Sequence, residues 1–277
     1  MSDFYKEVIA IVERKSTELS RFTYSTYMGH IRKLRIFRPE LNCQEVDQNF
    51  VSGYVDFMHS RGNSPGTIHR SLSILKMFLA ELVKNCRIPF NPMQNMVLRR
   101  YRSHREFLEI SELECLYQNF WQCSDAVTVS EREALRAFLF SCFTGLRYSD
   151  LKGLKTRDML NGKIRLCTQK TNTLVYIPVP APALRLVNGA NDLALHVVNN
   201  STFNKNLRSG AKKLGCHRHL HAHLARHTFA TSCISFGIPL EVVSKLLGHA
   251  NLQTTLIYAK YSNSVIDREM QKFKINT

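Results

Sequence analysis

No acidic residue occurs between Asp192 and Glu241, although Lys205, Arg208, Lys212, Lys213, Arg218 and Arg226 all fall there. Acids are scarce throughout: 22 Asp and Glu stand against 38 Lys and Arg, giving a formal net charge of +16 in 277 residues. A folded chain this basic is expected to meet a polyanion, with DNA or RNA the first candidate. A second acid-poor cluster holds Arg99, Arg100, Arg102 and Arg105. Two separated runs of this kind favour phosphate contact over a merely solvated face. No Cys-x-x-Cys pair occurs among the eight cysteines, so neither a disulfide framework nor a zinc site of that spacing is expected. Most of them lie in apolar, helix-like stretches, where a free thiol behaves as a small hydrophobe, and a reducing interior follows. The histidine-rich run Cys216–His223 would gather its side chains only on a strand and has no second ligand cluster, so no metal is expected. His217, His219 and His221 are read as covering a basic surface. No apolar run approaches a membrane span of about 20 residues, and the opening MSDFYKEVIAIVERK is too short in its apolar part and too charged for a signal peptide. Internal repeats and low-complexity segments are also missing. A cytoplasmic, nucleoid-associated protein is expected, with no membrane partner.

What is present is mainly helical periodicity. Residues 3–20 carry Phe4, Val8, Ile11 and Val12 on one stripe; residues 23–37 carry Tyr27, Ile31, Leu34 and Phe37, and Pro39 stops them. Residues 50–59 form a third helix ending near Gly62. Thr67 caps a fourth that runs to about Lys84 with Ile68, Leu72, Leu75, Phe78, Leu79 and Leu82 inward. Residues 1–92 therefore read as a small helical DNA-binding domain, 93–108 as a basic linker and 109–277 as a second domain. In the second domain, Ser111–Glu114 reads as a capping box, residues 130–144 as a helix ended by Gly145, and residues 163–167 and 174–179 as two strands. Lys170 then sits near the tip of their hairpin. Helices are expected to start at Pro180–Pro182 and to cover 201–214. The fold class is mainly α with a small β-hairpin or sheet in the C-terminal domain.

The stretch His223–Tyr261 organises the rest. His223 and Arg226 are three apart and share a helix face. Gly248 suits a left-handed helix end, placing His249 just beyond it and Tyr258 in the next helical turns. Arg147, amid apolar neighbours, needs a partner or a bound anion, and Asp150 is a natural partner. The candidate set is Arg147, Lys170, His223, Arg226, His249 and Tyr258. It suits attack on a phosphodiester without metal. Two arginines clamp the non-bridging oxygens, whose charge grows in the transition state. A phenol, with an ordinary pKa of about 10, needs a neighbour to accept its proton, and His223 is placed for that. His249 donates to the phosphate, and Lys170 protonates the leaving oxygen. His227 is read as a packing or hydrogen-bonded histidine facing elsewhere.

At these motifs the chain resembles the tyrosine recombinase, or phage integrase, family over nearly its whole length. TGLRYSDL around Arg147 resembles the first arginine box, QKT the hairpin lysine, HLARHTFAT the His-x-x-Arg box, LLGH the next, and TTLIYAKY the nucleophile box. Each alone is weak; together, in this order, they are specific. The resemblance implies a two-domain C-shaped clamp around double-stranded DNA carrying paired recombination sites, with a core-binding domain followed by the recombinase catalytic fold. It implies cleavage and rejoining through a 3′-phosphotyrosyl intermediate with neither metal, ATP nor cofactor. It also implies a homotetramer on DNA, a monomer when free, and a bending protein as an accessory. Asp150 takes the place of an acid supporting the active-site arginine and histidine, and Val265, Ile266, Met270 and Phe273 form a tail stripe like those that dock on a neighbouring protomer. No arm-binding domain precedes the core-binding one, which tilts the reading toward a Xer-like resolvase, an invertase or the integrase of a small element. Lys205, Arg208, Lys212 and Lys213 join the linker arginines as DNA-contact candidates. The alternatives are a type IB-like topoisomerase and a non-catalytic DNA-binding regulator. Tyr148 and Tyr261 are rival nucleophiles, with Tyr148 read as core.

Overall fold

The fold is that of a computed structural model, which describes residues 2–98, 106–188 and 192–259. It divides into two compact units, Met1–His104 and Arg105–Thr277. In the first, α1 (Phe4–Arg14) turns its apolar stripe inward, leaving Phe4, Val8, Ile11 and Val12 almost wholly buried. The Asp3 carboxylate starts it by accepting the Tyr5 and Lys6 amides. The partners are α2 (Arg21–Phe37), α3 (Gln48–Ser60) and α4 (Pro65–Lys84). Burying each such Leu, Ile or Phe contributes roughly 1.5–3 kcal/mol, so the six inward residues of α4 anchor this unit. The cap of α4 is Ser64, whose hydroxyl accepts the Thr67 amide, with Pro65 in the first turn. Thr67 is thus the capped residue rather than the cap. Lys76 then ties down the segment after the bundle by donating to the carbonyls of Gln94 and Met96, and Met93 is fully buried in this core.

The second unit opens at Leu108, which is buried and donates its amide to Thr228 Oγ1. Helix α5 (Ile110–Gln122) begins two residues earlier than its sequence suggests. Glu109 is the cap, and the Glu112 carboxylate reaches back to the Glu109 amide. Helix α6 (Val129–Thr144) is buried on nearly every side from Ala134 to Cys142, as a central helix must be, and Gly145 ends it. Helix α7 (Tyr148–Gly153) leads to a three-stranded antiparallel sheet: β1 (Met159–Leu160), β2 (Lys163–Cys167) and β3 (Leu174–Pro178), in that order. The register sets Cys167 opposite Leu174 and Lys163 opposite Pro178, so Ile164, Val175 and Ile177 face the core. The short helix α8 (Ala181–Leu184) follows, then α9 (Asn200–Lys213), α10 (Ala222–Ser235), α11 (Leu240–Leu247) and α12 (Gln253–Ala259). Among the described residues no helix is long and apolar enough to cross a membrane, and no cluster of metal-ligating side chains occurs.

The cysteines divide differently from the sequence expectation. All eight are free, but only Cys43, Cys142 and Cys233 are buried, whereas Cys86, Cys115, Cys123 and Cys167 are exposed. Burial pushes the Cys233 thiol up to about 12, which keeps it protonated.

Candidate active site

Arg226 is the hub. It projects from α10, a helix whose residues from Leu224 to Thr231 are all buried, and it is itself only 3% exposed. Its guanidinium donates to the carbonyl of Gly145, at 2.7 Å, and to that of Leu247. Those carbonyls belong to the C-terminal ends of α6 and α11, which carry partial negative charge. Burial first, then the nearby Arg147, pulls Arg226 down to about 9, against Tyr258 and Asp150. It stays a cation at neutral pH.

The two helix ends demand glycine. Gly145 and Gly248 both adopt left-handed φ, +69° and +60°. A Cβ at Gly145 would come within 2.5 Å of Phe229 Cδ1, and one at Gly248 within 2.7 Å of Val175 Cγ1. These glycines turn the chain so that Arg147 follows one helix and His249 the other.

Arg147 caps the start of α7 by position without a side-chain bond. Its Nη1 is buried with no hydrogen-bond partner, and neither Arg147 nor Arg226 forms an ion pair among the described residues. The expected Arg147–Asp150 pair is therefore missing. Asp150 instead accepts the Gln169 amide through Oδ1 at 2.9 Å, while its buried Oδ2 has no partner. The carboxylate sits at the root of the β2–β3 hairpin, where the peptide N–H of Gln169 competes successfully for it. Thr168 completes that root: its hydroxyl accepts the Thr173 amide, and its own amide donates to the Thr173 carbonyl. Lys170 stands exposed on the turn so held.

His249 follows the α11 cap, with Nδ1 2.8 Å from Thr255 Oγ1. His223 is exposed at the start of α10, and its ring meets that of His227 at 4.4 Å and 72°. Tyr258 is buried, and its hydroxyl lies 2.7 Å from His227 Nδ1. Sequence reasoning set His223 beside the phenol and turned His227 away; the four-residue spacing from His223 to His227, which puts both on one helix face, was the overlooked signal. Tyr148 has a structural engagement, as its hydroxyl donates to the Val198 carbonyl and burial raises its pKa.

Of the candidate DNA contacts, Lys205, Arg208 and Lys212 are exposed on α9, with Arg208 Nη1 3.4 Å from His219 Nε2. Lys213 is engaged differently, donating to Glu131 at 2.7 Å. Burial works to raise Glu131, but Lys213, Ser209 and Thr128 outweigh it and hold the carboxyl near about 2. Arg99, Arg100, Arg102 and Arg105, Tyr261 and the tail stripe lie outside the described residues. The histidine run forms no strand, and His221 caps α10 by accepting the Leu224 amide on Nδ1.

With this geometry in view, the likenesses to known proteins are consistent from end to end. A phage integrase SAM-like domain profile matches residues 1–101, and the phage integrase family profile matches residues 106–264. A tyrosine recombinase XerC from Bacillus licheniformis is 30% identical over 275 residues, covering 88% of each chain. Among solved structures, the Tn1549 transposon integrase in complex with a circular intermediate DNA aligns over 99% of this chain and 100% of its own, with a TM-score of 0.79 at 16% identity. A lambda integrase tetramer bound to a Holliday junction aligns over 91% of this chain and 78% of its own, with a TM-score of 0.74 at 16% identity. The chain belongs to the phage integrase family and is a tyrosine recombinase, an enzyme of site-specific DNA recombination.

Proposed function

We propose that Arg147 and Arg226 hold one phosphodiester of duplex DNA while Tyr258 attacks it. The observation that carries this reading is the pair of guanidiniums itself. They lie close enough for Arg147 to depress Arg226, yet neither has a carboxylate partner among the described residues. Two like charges held together, Arg226 buried and Arg147 half-buried, are costly unless an anion joins them, since Asp150 acts on Arg226 without forming an ion pair. In the reaction the Tyr258 oxygen bonds to phosphorus and the bond to the 5′ oxygen breaks. The product is a 3′-phosphotyrosyl ester and a free 5′ hydroxyl. Lys170, carried on the hairpin that Asp150 anchors, gives the leaving oxygen its proton. His223 and His249 donate hydrogen bonds to the phosphate. Because the ester conserves the energy of the broken bond, attack by another strand's hydroxyl needs neither ATP nor metal. The solved relative on a Holliday junction supports a tetramer acting on two sites. The exposed Lys205, Arg208 and Lys212, together with Arg99, Arg100, Arg102 and Arg105, supply phosphate contacts outside the site. The protein then works in the cytoplasm, where its DNA lies, and an accessory bending protein assists assembly.

The test is adduct trapping. The protein is incubated in EDTA with nicked duplexes taken from the DNA flanking its own gene, beside Tyr258→Phe. An SDS-resistant protein–DNA band that vanishes in the variant is expected. A band of equal strength in Tyr258→Phe would overturn the assignment.

A further inference from the structure

We infer that His227 is the general base that takes the proton of Tyr258, an inference that rests on reading Tyr258 as the nucleophile. The phenolic oxygen and Nδ1 of His227 are 2.7 Å apart, inside the range for direct proton transfer, and both residues are buried. The imidazole is fixed from two sides. It hangs from the fully buried span of α10, and its ring packs edge-on against His223 at 4.4 Å. Its sequence neighbour is Arg226, whose charge interacts with Tyr258.

Electrostatics set the direction of the bond. The Arg226 guanidinium interacts with Tyr258 and favours its anion. For that role the ring is neutral, with hydrogen on Nε2 and a lone pair on Nδ1 that accepts from Tyr258. On attack the O–H bond breaks and its proton moves to Nδ1, while the released electron pair forms the O–P bond. The P–O5′ bond breaks, and that oxygen takes a proton from Lys170. Religation runs the same transfers backward: the 5′ hydroxyl returns its proton to Lys170, and the His227 imidazolium returns the other to the departing phenol. Protons and charge balance in each half. The base and the acid are then different groups on different elements, α10 and the β2–β3 turn.

The experiment uses the full chain and the nicked site recovered by adduct trapping, with single-turnover rates taken per DNA-bound molecule. The key variant is His227→Asn, whose amide oxygen can accept the same hydrogen bond but cannot take a proton. His227→Gln runs beside it, so a folding defect in one leaves the other to decide. Adduct formation is expected to slow by about 10²–10³-fold with DNA binding unchanged. A second substrate carries sulfur in place of the 5′-bridging oxygen, a leaving group that needs no proton. It is expected to restore Lys170→Ala and to leave His227→Asn slow. Rates within about threefold of wild type, far below a general-base effect, would overturn the assignment. So would faster cleavage, which would make His227 a latch, or full restoration by sulfur, which would move it to the leaving-group side. A band surviving in Tyr258→Phe would instead overturn the nucleophile on which the inference rests.

Discussion

Helices α4 and α10 belong to different units and obey different rules. Helix α4 buries Ile68, Leu72, Leu75, Phe78, Leu79 and Leu82 and leaves Arg70 and Lys84 in water. It is an ordinary amphipathic helix, stable because its stripe finds other stripes. Helix α10 has no polar face over its middle: Arg226, His227, Thr228 and Thr231 are buried with Leu224, Phe229 and Ala230. Burying such groups costs free energy unless each finds a partner. The partners are specific: two helix-end carbonyls for Arg226, the Tyr258 hydroxyl for His227 and the Leu108 amide for Thr228. A helix that violates its own pattern, with these three groups satisfied one by one while the buried Thr231 Oγ1 has no hydrogen-bond partner, marks where chemistry is done.

Substitutions can break that contrast. The largest effect is expected at Arg226→Ala, which removes the anion clamp and leaves two helix-end carbonyls without a donor. Cleavage should fall by about 10²–10³-fold, and urea denaturation should show a stability loss of a few kcal/mol. Arg226→Lys should recover little, because one ammonium cannot span both carbonyls. Leu75→Ala should cost a similar stability, about 2–5 kcal/mol, yet leave the rate per folded, DNA-saturated molecule unchanged. If both substitutions damaged cleavage equally, the contrast between the helices would be lost.

Next comes Gly145→Ala. The left-handed backbone alone is worth roughly 1–3 kcal/mol of strain, and the contact with Phe229 adds to it. Unfolding midpoints for this variant and for Gly215→Ala separate the two causes, since Gly215 shares the positive φ but has open space around it.

A smaller effect, sharpened by pH, is expected at Glu131→Gln. Its carboxyl is held down to about 2, so its contribution is fully present above about 4.5 and fades as the pH falls toward 2. The stability gap between wild type and variant should be constant from neutral pH to about 5, then shrink. A gap that does not shrink in acid would show that the Lys213 and Ser209 bonds do not depend on the charge. The smallest effect is expected at Ser64→Ala, about 1 kcal/mol for the lost cap of α4, read from the first unit's thermal midpoint.

These effects also separate what the sequence made legible from what it hid. The helical stripes, the β2–β3 hairpin and the glycine ends at Gly145 and Gly248 were readable because each depends on local periodicity or local φ. Caps slipped by three residues, to Ser64, and by two, to Glu109, because several Ser, Thr and Glu near a helix start compete and only backbone geometry chooses among them. Strand β1 was missed although Asn161-Gly162, both at positive φ, is a strong signal for the tight turn joining it to β2. Two readings failed at the site for a tertiary reason. Asp150 lies three residues from Arg147, but the amide of Gln169, distant in sequence, takes its carboxylate. His227 faces Tyr258 only because α12 packs against α10.

The central claim is that Tyr258, aimed by α10 and α12, is the residue that joins the DNA. The most direct measurement digests the trapped adduct with protease and nuclease and sequences the peptide that carries the residual nucleotide by tandem mass spectrometry. The account predicts the nucleotide mass on Tyr258, with none on Tyr148 or Tyr261. A nucleotide on either of those, or on a serine, would contradict it.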